Sequence, residues 1–137
     1  MIISEYTHIG VDKMVFIQML KALSDETRLR ILNLLRQGEL CVCELEMILD
    51  INQSNASRHL NRLANAKIIN SDKRAQYVYY KINEDTLKEY GFIKEILDNE
   101  LMKLEIYKED LKRLGKYRES GLTCDDLKDG KVCFNGY

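Results

Sequence analysis

The sequence contains no proline, only two histidines, and no apolar run that approaches the 18 or so residues of a membrane-spanning helix. No N-terminal stretch combines a basic start, an apolar run and a small-residue cleavage site, so we expect a cytoplasmic protein without a membrane partner. Because the cytoplasm keeps thiols reduced, disulfides are rare there. The four cysteines are therefore expected to be inert, metal-binding or redox-active rather than a disulfide framework.

Motifs of catalysis are also missing from the sequence. It has no Cys-x-x-Cys redox motif, no glycine-rich phosphate loop and no candidate set of serine, histidine and aspartate. We therefore expect no catalytic residues and a protein that is not an enzyme.

The 137 residues suit one domain of ordinary soluble composition, with 45% hydrophobic and 31% charged residues. The net charge is only −1, but the charge is unevenly distributed. Residues 51–83 carry six basic residues and one acid, and the segments on either side are acidic. A basic island in an acidic protein is typical of a nucleic-acid contact surface, although a solvated basic face is the alternative.

Helical periodicity predicts two helices joined by a tight turn in the middle of the chain. A helix over residues 24–38 has Ser24 as its N-cap and Gly38 as its stop. The segment "VCELEMIL" follows as a short helix, "DINQ" breaks it, and "SNASRHLNRLANAK" forms the next helix with Leu60 and Leu63 turned inward. Two helices with a tight turn between them, within about 25 residues, form a helix-turn-helix.

Two β segments follow directly. Ile68 and Ile69 begin the first, "YVYYKI" forms the second, and the basic turn "SDKRAQ" lies between them. A hairpin with a basic tip after a helix-turn-helix is a wing. The chain is therefore predicted to be mainly α with a small β-hairpin, a winged helix-turn-helix.

The segment from residue 84 to residue 120 is predicted to be one long helix. Tyr90, Leu97, Leu104 and Leu111 recur every seven residues, which indicates a seam for a partner helix and hence a homodimer. Core packing within one chain is the alternative. We expect residues 1–118 to form the DNA-binding and dimerisation domain and residues 119–137 to form a tail that contains Cys124 and Cys133.

The second helix of the helix-turn-helix carries side chains suited to reading base edges in the major groove of double-stranded DNA. Lysine and arginine at the wing tip suit phosphate or minor-groove contact. The predicted DNA-binding residues are Gln53, Ser54, Asn55, Ser57, Arg58, His59, Arg62, Lys73 and Arg74.

The segments "ELCVCEL", "QSNASRHLNRL" and "YVYYKIN", in this order and spacing, resemble the ArsR/SmtB family of metal(loid)-responsive repressors. The resemblance covers roughly residues 15–115. It implies a dimeric winged helix-turn-helix protein that occupies a DNA operator and leaves it when the metal binds. The stretch "ELCVC" is similar to the arsenic- and antimony-sensing branch and also to the cadmium and lead branch.

Thiolates are soft ligands, and they select thiophilic ions over Mg²⁺ or Ca²⁺. In a regular helix Cys41 and Cys43 would project about 200° apart, so both can bind one ion only if Cys41 is extended or the helix distorts. In the best-known arsenic sensors that the sequence resembles, a third cysteine follows three residues later, where this chain has Glu46. A tail cysteine must then complete the site, Cys124 as first choice and Cys133 as second.

The predicted metal ligands are thus Cys41, Cys43 and Cys124, and the predicted inducer is As(III) or Sb(III), with Cd(II) or Pb(II) as the alternative. Three other interpretations remain open. The thiols could be buried and unreactive, they could form a redox switch in a repressor of the same fold, or the protein could buffer metal without binding DNA. A zinc site of His8 and His59 is the least favoured, since His59 fits the DNA-reading face.

Overall fold

A computed structural model describes the backbone of residues 2–128 and the side chains of residues 13–128. Cys133 and the side chain of His8, both considered above, lie outside these ranges. The elements in chain order are α1 (Ile2–Leu23), α2 (Glu26–Leu35), β1 (Leu40–Cys41), α3 (Val42–Leu49), α4 (Gln53–Asn65), β2 (Ile69–Arg74), β3 (Tyr77–Ile82), α5 (Glu84–Glu89), α6 (Gly91–Glu95), a π-helical turn (Ile96–Glu100), a 3₁₀ turn (Leu101–Lys103), α7 (Glu105–Ser120) and α8 (Cys124–Lys128).

The helix-turn-helix consists of α3 and α4, with α2 packed behind them. Asp25, rather than the predicted Ser24, caps α2 by accepting a 3.0 Å hydrogen bond from the backbone N–H of Arg28. Asp50 ends α3 in the left-handed conformation (φ 54°), and Asn52 caps α4 through the backbone N–H of Asn55 at 2.9 Å. These short polar residues set the tight turn between the two helices.

The wing is an antiparallel sheet with strand order β1-β3-β2. Strands β2 and β3 pair from Ile69 opposite Ile82 to Arg74 opposite Tyr77. The sequence predicted this hairpin but not the third strand, β1, which pairs Cys41 with Tyr79 on the other edge of β3. The start of the helix-turn-helix is thereby hydrogen-bonded to the wing.

One hydrophobic core joins the helices to the base of the wing. Its fully buried side chains come from α1 to α4, β1, the start of β2, α6 and the π-helical turn, so the DNA-reading helices rest on the same core as the wing. The largest of them are Met19, Ile31, Leu32, Leu34, Leu40, Leu45, Ile48, Leu60, Leu63, Ile68, Ile69 and Ile93. Among the described residues, no helix is both long enough and apolar enough to cross a membrane.

The single long helix predicted for residues 84–120 is wrong. The helix is interrupted at Tyr90 (φ −116°, ψ 73°), next to the weak helix former Gly91, and again at Leu104, whose backbone is extended (φ −113°, ψ 132°). Two of the three leucines of the predicted seam differ in burial: Leu97 is fully buried in the core, and Leu104, at the break, is 54% exposed. The residues that recur every seven positions therefore do not form one face of one helix.

The described part of the tail forms the short helix α8, which packs against α3. The predicted domain boundary at residue 118 falls in the last turn of α7, which ends at Ser120 before Gly121 adopts φ 74°. The division into a domain and a tail stays a prediction.

Candidate metal centre and nucleic-acid interface

The two neighbouring thiols occupy the junction between the wing and the helix-turn-helix. Cys41 ends β1 with an extended backbone (φ −87°, ψ 166°), and Cys43 lies in the first turn of α3. Their Sγ atoms are 3.5 Å apart. The strand-to-helix junction thus removes the divergence that an unbroken helix would impose on residues two apart.

The tail brings a third sulfur to this pair. Cys124, the first residue of α8, is buried and is joined to Cys41 as a disulfide, with their Cα atoms 7.2 Å apart. The Sγ atoms of Cys41, Cys43 and Cys124 all lie within 4.8 Å of one another. The three predicted ligands of one chain therefore lie close together.

Glu44 adds a carboxylate beside the thiols. It accepts a 2.9 Å hydrogen bond from the backbone N–H of Cys41 and a 2.5 Å hydrogen bond from the hydroxyl of Tyr117. Burial, and then the bond to Glu44, raise the pKa of Tyr117 and keep its proton in place. Sequence reasoning missed Glu44, although a glutamate three positions after a helix N-cap is a known capping signal.

Burial raises the pKa of the Cys43 thiol, and the negative charges of Glu46 and Glu44 raise it further. Since the thiolate is the nucleophile and the metal ligand, Cys43 in the free protein is a poor nucleophile. A thiophilic ion that displaces its proton would be held where water competes weakly.

A cavity of about 470 Å³ opens beside the thiols. It lies between the start of α3, the N-terminal half of α4, the wing and α8. The residues that line it are Cys41, Val42, Cys43, Glu46, Gln53, Ser57, Gln76, Tyr77, Val78, Tyr80, Leu127 and Lys128.

Helix α4 presents most of its predicted DNA-reading residues to solvent. Ser57 is half-buried, and the exposed ones are Gln53, Ser54, Asn55, Arg58 and Arg62. A 3.1 Å hydrogen bond from the Arg58 guanidinium to the Asn55 side chain orders the first turns of this face.

His59 was expected on the exposed face, and this expectation is wrong, since its side chain is buried to 6% exposure. Its Nδ1 lies 3.1 Å from Nη1 of Arg28 and 3.8 Å from a carboxylate oxygen of Asp25. The imidazole thus joins α4 to the start of α2. Asp25 and Arg28 could have indicated a buried partner for His59, but they precede it by more than thirty residues, so the sequence does not show that they meet.

Lys73 and Arg74, the two basic residues of the wing tip, are both exposed. Arg74 is paired with Glu39 at 2.7 Å and with Asp72 at 3.4 Å, and its guanidinium lies 3.9 Å from the centroid of the Tyr79 ring. The hydrogen bond to Glu39 and the negative charge of Glu39 both raise the pKa of Arg74. The wing therefore holds one cation in a fixed position before any DNA is bound.

Comparison with known proteins concerns both the thiol site and the predicted DNA-reading face. Residues 25–71 match the model of the family described as bacterial regulatory protein, arsR family. The cadmium resistance transcriptional regulatory protein CadC of Listeria innocua is 38% identical over 93 residues, which cover 66% of this chain and 69% of that protein. The chain belongs to the arsR family.

A second relative, the arsenic resistance transcriptional regulator ArsR1 of Pseudomonas putida, is 44% identical over 66 residues, or 47% of this chain. The chain spans about half (52%) of that regulator's length. The arsR family segment contains Cys41 and Cys43 but ends before Cys124.

The fold of this arsR family member is also found in solved structures. The solution structure of a homodimeric winged helix-turn-helix DNA-binding domain from Mycobacterium bovis, a possible ArsR-family transcriptional regulator, superposes with a TM-score of 0.58 at 27% identity. The match covers 67% of this chain and 86% of that one. The predicted winged helix-turn-helix is confirmed.

Proposed function

We propose that this arsR family protein is a transcriptional repressor that binds an operator in double-stranded DNA and releases it when As(III) or Sb(III) binds Cys41, Cys43 and Cys124. The observation that carries the proposal is the convergence of three sulfur atoms within 4.8 Å at the first helix of the DNA-reading pair. The regulators of arsenic resistance among its relatives support the same inducer.

The donor set fits a trivalent metalloid. Three soft sulfurs match its preference for three thiolates in a pyramid, and they exclude hard cations that require oxygen ligands. The Cα atoms of Cys41 and Cys124, 7.2 Å apart, lie beyond the 4.4–6.8 Å usual for a disulfide. Such a spacing suits two thiolates that share an ion. Cd(II) or Pb(II) is the alternative inducer, and cadmium regulators are also among the relatives.

DNA binding is assigned to α4 and the wing. The exposed polar face of α4 and its neighbour Ser57 would read base edges, and Lys73 and Arg74 would contact the phosphates. An ion drawn between the sulfurs acts on Cys41 and Cys43, and hence on α3, which packs directly against α4.

The active form is a homodimer in this proposal. Large apolar side chains on the surface of α1 support it, because isolated monomers rarely expose such a stripe. The M. bovis relative is described as homodimeric, which supports the same assembly. The exposed residues on α1 are Met14, Phe16, Ile17 and Leu20.

The decisive experiment measures operator release by arsenite, under reducing conditions, in the wild type and in single Cys→Ser variants. We expect Cys41→Ser, Cys43→Ser and Cys124→Ser to bind the operator but to resist release. Arsenic K-edge absorption should give three sulfur ligands in the wild type and two in each of these variants. Cys133→Ser is the matched control and should behave as the wild type. Absence of bound arsenic in the wild type would end the metalloid proposal.

A thiol redox switch is the second candidate, and the disulfide between Cys41 and Cys124 is the observation that favours it. Two thiols would give two electrons and two protons to a peroxide, which leaves as two water molecules or as water and an alcohol. Cys43→Ser separates the candidates, since a disulfide of Cys41 and Cys124 does not need Cys43. Release by peroxide but not by arsenite in this variant would favour the redox switch.

A further inference from the structure

We infer that α8 is a second element, besides α3, through which the thiol site acts on DNA binding, and that Tyr77 is the wing residue on which α8 acts. The inference rests on the proposed function and concerns how the same site is regulated. Cys124 fixes α8 from one side, the wing holds it from the other, and the closed α8 stands where DNA would reach the wing and α4.

Helix α8 contacts both the sulfur cluster and the wing. Its first residue, Cys124, belongs to the sulfur cluster on α3. The next residue, Asp125, accepts a short hydrogen bond from the Tyr77 hydroxyl, and Lys128 donates a 2.9 Å hydrogen bond to the side chain of Gln76. A helix of five residues thus connects the predicted metal ligand to the tip of the wing.

The position of α8 bears on DNA binding directly. Leu127 and Lys128 line the same cavity as Gln53 and Ser57 of α4, so α8 faces the N-terminal half of the predicted recognition helix. Tyr77 is the strand partner of Arg74, one of the two basic residues at the wing tip. The closed α8 therefore occupies the space between the two predicted DNA-contacting elements.

The charge of α8 adds to this effect. Asp125 and Asp126 lie in the first turn of α8, and the bond to Tyr77 holds the carboxylate of Asp125 against strand β3 of the wing. A carboxylate at this position repels the phosphate backbone of DNA that approaches the wing. Closure of α8 would thus weaken binding to every DNA sequence, in addition to any change at the base-reading face.

The closed position depends on the sulfur anchor. An isolated helix of five residues is unstable in water, because helix nucleation is unfavourable and so few residues cannot offset it. The side chains that hold α8 to the wing are exposed and are weakened by competition with water. In the structure the disulfide to Cys41 is this anchor. When the thiols are reduced, an ion bound by Cys41, Cys43 and Cys124 would take its place, and loss of the ion would let α8 leave the wing.

The test uses the full chain with Tyr77→Phe, which removes the hydroxyl and keeps the ring. Tyr79→Phe is the matched control, since Tyr79 lies two residues further along the same strand and its ring, which Arg74 contacts, is retained. We expect Tyr77→Phe to bind the operator as the wild type does in the absence of arsenite, and to bind arsenite with the same three-sulfur shell. Its loss of operator affinity on adding arsenite should be about fivefold smaller than in the wild type.

Two further readouts separate coupling from a merely structural role. Arsenite should slow amide hydrogen exchange at residues 72–78 in the wild type and in Tyr79→Phe but not in Tyr77→Phe. The double variant of Tyr77→Phe and Asp125→Ala should lose no more coupling than Asp125→Ala alone, because Asp125→Ala already removes the contact with Tyr77 together with the charge.

The outcomes distinguish this inference from the proposed function. If the wild type fails to release the operator with arsenite, the proposed function is wrong and the inference falls with it. If the wild type releases and Tyr77→Phe releases equally, with arsenic bound in both, the inference alone is overturned. Equal protection of the wing in both proteins would overturn it in the same way.

Discussion

Arg30 of α2 and Asp110 of α7 form an ion pair with two hydrogen bonds, Nε to Oδ2 at 2.7 Å and Nη2 to Oδ1 at 2.9 Å. Asp110 is 2% exposed, so the pair is shielded from water on the carboxylate side. It fastens the helix behind the DNA-reading pair to the helix that precedes the tail. Arg28, two residues earlier on α2, contacts His59 of α4.

Removing one partner of this pair should destabilise the fold. Asp110→Ala leaves the Arg30 guanidinium without its partner in a half-buried site, and we expect a loss of about 3 kcal/mol in the free energy of unfolding. Urea unfolding followed by circular dichroism measures it. Glu109→Ala, at the exposed neighbouring position, is the control and should change stability by less than about 0.5 kcal/mol. Equal stability of the two variants would contradict the assignment.

Release of Arg74 from its acidic partner should strengthen DNA binding. Glu39→Gln removes the charge that holds the Arg74 guanidinium at 2.7 Å, so the guanidinium becomes available to a phosphate. We expect a higher operator affinity and a salt dependence steeper by up to about one unit of slope. Fluorescence anisotropy over a salt series measures both. Glu89→Gln, at an exposed acid on α5, is the control, and an unchanged slope in Glu39→Gln would count against a phosphate role for Arg74.

Two glutamate substitutions distinguish the dimer surface from the core. Ile17 is 41% exposed on α1, and Ile17→Glu should yield a monomer with native helicity, because a charge on the apolar stripe opposes association. Leu97 is fully buried, and Leu97→Glu should unfold the chain, because it places a carboxylate in the core. Sedimentation and circular dichroism separate these results. A dimeric Ile17→Glu would place the dimer interface elsewhere.

The stability of the protein should fall in mild acid because of His59. Burial lowers the pKa of His59, and the positive charges of Arg58 and Arg28 act in the same direction against the opposing charge of Asp25. In the unfolded chain the pKa is about 6.5. Unfolding therefore takes up a proton below about pH 6.5, so this contribution to stability is present above that pH and is lost as the pH falls.

Urea unfolding at pH 7, 6 and 5 tests this effect, with His59→Gln expected to show a flatter dependence than the wild type. The lowered pKa of Asp25 adds a second loss of stability, but only near and below pH 4, outside this window. His8→Gln removes the other histidine and is the control. Parallel curves for His59→Gln and the wild type would rule His59 out as the group that titrates.

The helix-turn-helix was predictable because its signals are local. The polar turn between α3 and α4 and the apolar spacing within α4 identified the two helices, and Ala56, Leu60 and Leu63 are buried as the pattern required. The wing followed from β-branched and aromatic residues on either side of a polar turn. Each of these signals acts within a few residues of the chain.

The long helix failed because its evidence was periodic rather than local. A repeat of seven residues identifies one helix face only if the helix is continuous. The helix is interrupted at Leu104, and no proline or glycine there predicts the interruption. The buried residues on either side, Leu101 and Tyr107, show that packing of both segments against the core decides the backbone there. Tertiary contacts of this kind cannot be predicted from the local sequence.

The sulfur cluster was predictable in composition but not in arrangement. The sequence favours Cys124 over Cys133 because Cys124 stands closer to the end of the predicted long helix, but 83 residues separate it from Cys41 and no local signal shows that the two sulfurs meet. His59 shows the same limit at shorter range. It lies beside the buried Leu60 at the border between the two faces of α4, where a rotation of a few degrees decides exposure.

The proposed sensor is divided between two parts of the chain, of which only one lies in the segment that matches the arsR family. Residues 25–71, the segment that matches the arsR family, hold the reading helix and two of the sulfurs, whereas the third sulfur lies on α8, outside that segment. Substitutions after Ser120 could therefore change the effector without altering a single base-reading side chain. A lineage that meets a new toxic ion could keep its operators and exchange a few terminal residues, and a biosensor could be retuned by the same exchange.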